Sequence, residues 1–225
     1  MNEYERIKKI IGLDGINKLN KTSVLIVGIG GVGGSSLEMI ARCGIKNITI
    51  IDFDKFEESN LNRQILCLKN NIGRNKVDVA DERIKHINPD INVIKIKEKV
   101  SINTINTLPK TDYIIDACDD VLAKVLLVKF ALENNIKIIS CCGTGNRLNP
   151  QKLTISNIWK TSYDPLAKKF RYMLKKENIK YKLPVVYSQE EPLIKTNGSV
   201  GSMSLVPNCA GILLASYVIN DILKK

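Results

Sequence analysis

An apolar run, "SVLIV", passes without a linker into "GIGGVGG" and then into a helical pattern, "SSLEMIARCG". This junction limits what the chain can fold into more than any other feature. A strand that feeds a glycine turn and then a helix is the opening unit of a nucleotide-binding sheet. The glycines let backbone approach a phosphate, and the helix amino terminus offers free N–H groups and the positive end of its dipole. The alternation continues downstream. "NITIID", "NVIKIK", "YIIDAC" and "KIISCCG" read as strands, and "NKVDVADERIKHIN" and "DVLAKVLLVKFALENN" as helices. Regular alternation of this kind predicts an α/β fold with a doubly wound, mostly parallel sheet. The apolar content is mostly Ile, Val and Leu, with aromatics at only 5%, which suits strands buried on both faces.

The chain has 225 residues, enough for one such Rossmann-like domain with a small carboxyl-terminal lobe. Residues 1–20 read as a helical arm with Gly12 and Gly15 as breaks. Residues 21–145 form the nucleotide-binding core. Over 146–225 the pattern changes to two short extended pieces, "KLTISNI" and "LPVVYS", around a basic helical stretch, closed by an apolar helix over 208–223. Its apolar run "CAGILLASYVI" is too short for a bilayer and reads as a core helix, so no transmembrane segment is expected. Six cysteines occur without a C-x-x-C pair, which speaks against zinc and for reduced thiols in a cytoplasmic protein. Cys141 and Cys142 read as small core residues, and the single histidine, His86, as a helix-end or surface residue. The net charge of +11 fits a polyanionic partner or a lysine-rich proteome, and charge alone does not separate the two.

Gly28, Gly30 and Gly33 fit G-x-G-x-x-G, and Asp52 ends the next strand 19 residues beyond Gly33, where its carboxylate can accept from ribose hydroxyls. These features alone favour NAD over the alternative of a glycine turn needed only for tight strand–helix packing. Other residues pull away from a dinucleotide. Asp54 follows in "IDFD"; Ser59, Asn60, Arg63 and Gln64 lie in "SNLNRQ"; Lys76 opens a helix; Asp116, Asp119 and Asp120 follow a strand in "DACDD". In a doubly wound sheet these loops open on one edge. A triphosphate uses such a set: Arg and Lys neutralise its oxygens and a carboxylate holds Mg²⁺. Taken singly, Arg63 could be a surface charge and Lys76 a solvated helix end.

The pieces "GIGGVGG", "IDFDKFEESNLNRQ", "IGRNKVD", "RIKHINPDI" and "DYIIDACDD" resemble the ubiquitin-activating-enzyme-like superfamily in order and spacing over residues 20–145. That resemblance implies binding of ATP and Mg²⁺ and adenylation of a carboxylate. By position it places Gly31 near the phosphates, Asp52 on the ribose, Asn60, Arg63 and Lys76 on the triphosphate, and Asp119 on Mg²⁺. The family often has Asn where this chain has Asp120, so Asp120 receives no role. Arg6 matches an arginine that homodimeric members extend to the partner's ATP, which implies a homodimer. Members acting on sulfur-carrier proteins usually carry paired C-x-x-C motifs, absent here; such a carrier protein is the alternative substrate. An NAD-dependent enzyme or a nucleotide sensor is a third reading.

The last third, with "KTSYDPLAKKFRYMLKK", "PVVYSQEEP" and "GSMSLVPNCAGILLAS", is similar to the tRNA threonylcarbamoyladenosine dehydratase branch. The reaction implied is ATP-dependent. The free carboxylate of the modified nucleoside, beside the tRNA anticodon, attacks the α-phosphorus; a nitrogen of its ureido group then closes a ring and AMP leaves. Segment 160–182 carries eight Lys/Arg and two acids. Lys168, Lys169, Arg171, Lys175 and Lys176 are expected to contact tRNA, and an interleaved aromatic to stack on an unpaired base. The spacing of Leu166, Phe170 and Leu174 also fits an ordinary amphipathic helix with those three buried, and both descriptions can hold together.

Overall fold

One sheet organises the chain. The structure, a computed structural model, describes residues 3–194 and 200–224. Strands β1 (Ser23–Val27), β2 (Asn47–Ile51), β3 (Asn92–Ile96), β4 (Tyr113–Asp116), β5 (Lys137–Cys141), β6 (Leu153–Asn157) and β7 (Pro184–Ser188) lie in the order β3-β2-β1-β4-β5-β7-β6. Only β6 runs antiparallel to its neighbour, β7. The chain winds outward from β1 to β3, returns to β4, and winds the other way. The reversal between β1 and β4 leaves a crevice at the carboxyl ends of the central strands, where open α/β sheets bind ligands.

Both faces of the sheet are covered. Val24 and Ile26 of β1 point into one core, and Leu25 and Val27 into the other, following the two-residue period of a strand. Helices α1 (Glu5–Lys21), α2 (Gly31–Arg42), α3 (Lys76–Ile87) and α6 (Leu205–Leu223) supply Leu19, Leu37, Ile84 and Leu214 to the first core. Helices α4 (Val121–Glu133) and α5 (Pro165–Lys176) supply Leu127, Phe170 and Leu174 to the second. The expected extended pieces of the last third are β6 and β7. They continue the central sheet instead of standing apart in a lobe of their own, because β7 pairs in parallel with β5 through Val185 and Val186.

Three local features set the frame of the site. Gly12 alone breaks α1, at φ +70°, whereas Gly15 is helical and buried. Helix α6 is long and apolar enough to cross a membrane by length and composition. Here its buried side, including Val206, Ala210, Leu214 and Val218, lies against α2 and the sheet. A Cβ at Gly211 would lie 2.2 Å from the Val32 carbonyl oxygen, so this glycine sets how closely α6 crosses α2. At its far end, Asp221 accepts from the Tyr113 hydroxyl at 2.6 Å and from Lys137 Nζ at 2.8 Å, tying α6 to the starts of β4 and β5.

Candidate active site

The crevice is a cleft of about 870 Å³, toward the upper end of the range for small-molecule sites. Its floor is the turn from β1 into α2. Gly28 adopts φ +85°, and a Cβ there would lie 3.0 Å from the Ala117 and Cys118 backbone, so both its conformation and its surroundings disfavour a side chain. Gly30 caps α2 without a side chain, so the helix's first N–H groups face the cleft unblocked. Gly31 also lines the cleft. Gly33 does not. A Cβ there would lie 1.7 Å from the Gly28 carbonyl oxygen, so this glycine serves strand–helix packing. The packing and phosphate readings of the glycine loop therefore apply to different glycines.

Asp52 stands at the end of β2, nearly buried at 8% exposure. Its Oδ2 accepts from Ile29 N at 2.6 Å and its Oδ1 from Asp54 N at 2.8 Å, so it holds the glycine turn in place. Burial raises its pKa above the ordinary carboxyl value, against the opposing pull of Lys76 and these two N–H donors. Lys76 is the buried first residue of α3, with Nζ 2.9 Å from Asp54 Oδ2. A cation at a helix amino terminus works against the dipole. Lysine and dipole together make a strongly positive spot that Asp54, itself half exposed, neutralises only in part. Arg63 donates through one Nη to Ser59 O at 2.7 Å and to Asn62 Oδ1 at 3.0 Å. Asn60 and Gln64 complete this wall, and Gln64 Oε1 is buried without a hydrogen-bond partner among the described residues. Ser59, expected at the nucleotide, does not line the cleft; its carbonyl positions Arg63 instead.

The two aspartates after β4 divide their work. Asp120 caps α4, accepting from Leu122 N at 2.8 Å, and pairs with Lys99 at 2.7 Å, which holds its pKa below the ordinary value. Asp119 is exposed on the cleft and makes no hydrogen bond or ion pair among the described residues. No group of three or more His, Cys, Asp or Glu is placed to cage a metal among those residues. One open carboxylate beside a phosphate site does fit Mg²⁺, which usually keeps its waters and binds through one or two carboxylates plus the substrate's phosphates.

Beneath Asp119 lies a fully buried ion pair. Lys124 Nζ stands 3.0 and 3.1 Å from the two oxygens of Asp116 and donates to Cys141 O at 2.8 Å. Asp116 in turn accepts from Cys118 N at 3.2 Å, setting the course of the turn that carries Asp119. The opposite wall is Gly143–Gly145, with Leu166 and Lys169 from α5. It is fastened by Asp164, which accepts from Gly143 N and Ala167 N at 2.9 Å each, and by buried Arg147. Arg147 donates to Gly143 O at 2.7 Å, to Tyr163 O at 2.8 Å and to Glu190 O at 3.2 Å. Cys141 and Cys142 are buried as expected, and burial pushes the Cys141 thiol up to about 12, so it stays protonated and unreactive. His86 is exposed in the last turn of α3.

The structure thus gathers Gly28, Gly30, Gly31, Asp52, Asp54, Asn60, Arg63, Gln64, Lys76 and Asp119 around one cleft. Arg6 is exposed on α1 and does not line it. On α5, the fully buried stripe is Ala167, Phe170 and Leu174; Leu166 is half-buried, packing against the same core while also lining the cleft. Phe170, being buried, cannot stack on a base. Arg171 donates to Thr161 O at 3.2 Å and also to Thr161 Oγ1, so it staples α5 to the preceding loop and is withdrawn from the expected tRNA contacts. Lys168, Lys169, Lys175 and Lys176 are all exposed, and of these Lys169 lines the cleft. Lys124, Arg147 and Asp164 were not among the expected site residues. A lysine inside the apolar "VLAKVLLVKF" was the one visible signal for the first of them.

Known proteins share this arrangement along the whole chain. The chain is 33% identical to tRNA threonylcarbamoyladenosine dehydratase of Bacillus subtilis, covering 100% of this chain and 96% of that one. It is 34% identical to the Haemophilus influenzae protein of the same name, over 84% and 81% of the two chains. The crystal structure of E. coli tRNA N6-threonylcarbamoyladenosine dehydratase, TcdA, in complex with ATP superposes with a TM-score of 0.92 at 29% identity, covering 98% of this chain and 93% of that one. The glycine turn, the aspartates that follow it and most of the closing helix α6 fall within residues 4–219, the span over which the sequence matches the ThiF family, and the chain belongs to that family.

Proposed function

We propose that this protein is an ATP-dependent tRNA threonylcarbamoyladenosine dehydratase. The observation that carries the reading is the full-length match to relatives of that name, together with a cleft whose nucleotide half supplies what a triphosphate requires. A match confined to the nucleotide half would fit any adenylating relative. This one extends through β6, α5, β7 and α6, and α5 carries Leu166 and Lys169 of the other wall.

The chemistry places few demands on protein nucleophiles, because substrate carboxylate and ATP react with each other. The protein must hold two anions together and offset their repulsion. In our reading, Gly30, Gly31 and the start of α2 receive the phosphates, Asp52 the ribose, and Arg63 and Lys76 the β- and γ-oxygens. Bound Mg²⁺ would be held by Asp119 and would spread the charge of the leaving pyrophosphate. The carboxylate oxygen bonds to the α-phosphorus as pyrophosphate departs. The ureido group then closes on the acyl carbon and AMP leaves. Buried, protonated Cys141 and Cys142 take no part. Lys168, Lys175 and Lys176 track tRNA phosphates outside the cleft, and Arg6 completes the site of a second copy in a cytoplasmic homodimer. The deciding experiment measures pyrophosphate release from ATP with threonylcarbamoyl-modified tRNA, with unmodified tRNA, and with a Gly-Gly-ending carrier protein. Release only with the modified tRNA is expected; release only with the carrier overturns the reading.

A further inference from the structure

The α5 wall of the cleft carries a cation whose role is separate from those of its neighbours. We propose that Lys169 receives the free carboxylate of the substrate and holds it toward the α-phosphorus, and that it is not one of the tRNA-phosphate contacts. The proposal rests on the dehydratase reading and names which residue meets the reacting group.

Four observations lead to Lys169. Among the α5 cations it alone lines the cleft, while Arg171 is taken up by Thr161. Each other cleft cation has a protein partner, Lys76 with Asp54 at 2.9 Å, Lys99 with Asp120 at 2.7 Å and Arg63 with Ser59 O at 2.7 Å, and in our reading Arg63 and Lys76 turn to the phosphates when ATP binds. Lys169 has no hydrogen-bond or ion-pair partner among the described residues. It also enters from the opposite flank. Lys76 and Arg63 belong to the β2 side of the sheet and α5 to the β5 side, with β1 and β4 between them. Finally, its helix is anchored. Asp164 caps α5 and binds Gly143 N with the same carboxylate, so the first turns of α5 and the Gly143–Gly145 wall form one unit.

The surroundings match an acyl carboxylate better than a further phosphate. Leu166 and Val200 line this wall beside the glycines, and Thr144 supplies one hydroxyl. A phosphate site is built from converging N–H groups and several cations. This wall offers one ammonium, apolar surface and one hydroxyl, which suits a small group with one negative charge. In the step itself, the carboxylate oxygen forms a bond to the α-phosphorus. The bond from that phosphorus to the bridging oxygen breaks, and pyrophosphate leaves with the electron pair. Lys169 takes no part in bond making or breaking; it reduces the repulsion between the carboxylate and the polyphosphate and sets the angle of attack.

The test uses Lys169→Met, Lys169→Arg and, for comparison, Lys168→Met in the full-length protein. Three quantities are measured: ATP affinity without tRNA, affinity for threonylcarbamoyl-modified tRNA with its salt dependence, and single-turnover pyrophosphate release. For Lys169→Met, ATP and tRNA affinities are expected to stay within about twofold, while pyrophosphate release slows about 100-fold, as when one charge-stabilising donor is removed. Lys169→Arg is expected to recover part of that rate. Lys168→Met is expected to weaken tRNA binding and flatten its salt dependence, the changes that Lys169→Met should not show. A tenfold loss of ATP affinity in Lys169→Met would make Lys169 a phosphate ligand and overturn the proposal. So would a weaker, flatter salt dependence with normal turnover, or no change at all. If the wild-type protein releases no pyrophosphate with the modified tRNA, the dehydratase reading itself has failed, a result distinct from any of these.

Discussion

Single residues show which charges are structural and which are free for a ligand. Arg63 and Lys76 touch the fold lightly. Arg63 contacts a carbonyl and an amide near its own position, and the partner of Lys76, Asp54, is half exposed and can be hydrated. Arg63→Ala and Lys76→Ala should therefore melt close to wild type, yet lose at least about 100-fold in pyrophosphate release; normal turnover in either removes the ATP assignment. The neighbouring aspartates should separate cleanly. Asp120→Ala loses a helix cap, at about 1 kcal/mol of stability by chemical denaturation, whereas Asp120→Asn keeps most of it. Asp119→Ala should leave the denaturation midpoint unchanged and reduce activity, most strongly at low Mg²⁺. An equal stability loss in both aspartate variants would contradict this division. The site was legible in the sequence where one loop carries its own chemistry: Gly28, Asp52, Lys76 and Asp119 stand at strand or helix ends with short-range signatures. It was not legible where the partner is remote. Arg147 finds Glu190 O through the pairing of β6 with β7, and no local pattern announces that contact. Ala167 was missed in the buried stripe of α5 because it is too small to signal a core position, whereas Leu166 packs only partly against that core.

Elements are held by polar contacts at points where apolar packing alone would let them slide. Lys124 joins α4 to the ends of β4 and β5. Replacing it with Met strands the Asp116 carboxylate in a dry core and should remove about 3–5 kcal/mol of stability. Adding Asp116→Leu should restore most of that, which unfolding of the single and double variants checks directly. A double variant no more stable than Lys124→Met would show that the pair is not what holds these elements. Helix α6 depends on Asp221, whose pKa is held below the ordinary value by Lys137 and the Tyr113 hydroxyl. The folded state thus binds this proton less readily than the unfolded chain does. Its contribution is fully present at neutral pH, begins to fall as pH drops through the unfolded value of about 3.9, and continues to fall toward the lower folded value. Asp221→Asn should accordingly be less stable than wild type at pH 7, with the difference narrowing as the pH falls below about 4. A constant difference from pH 7 to pH 3 would mean that the ionised carboxylate is not the anchor. The parallel core was readable from its alternating strands. The merging of β6 and β7 into the same sheet was not, since it depends on a crossover through α5 that the extended segments themselves do not encode.

At the scale of the whole molecule, one feature remains outside the single chain. Arg6 is exposed on α1 and absent from the lining of its own cleft, although the position matches an arginine that homodimeric relatives are expected to share. If two copies exchange this residue, each active site consists of one chain's cleft and the other chain's Arg6. Arg6→Ala and Arg63→Ala should then each be inactive alone and complement one another when mixed. In a mixed dimer, the chain that keeps Arg63 receives Arg6 from its partner and has an intact site, while the other site lacks both residues. With equal amounts and free exchange, half the dimers are mixed and half their sites intact, so activity should recover to about a quarter of wild type. The experiment needs subunit exchange, which labelled copies of the two variants report independently by energy transfer. Exchange without recovery would place Arg6 on its own surface and not in a shared site. Recovery would also account for the exposed arm: α1 leaves Arg6 unused in one chain because its anion is bound by the other.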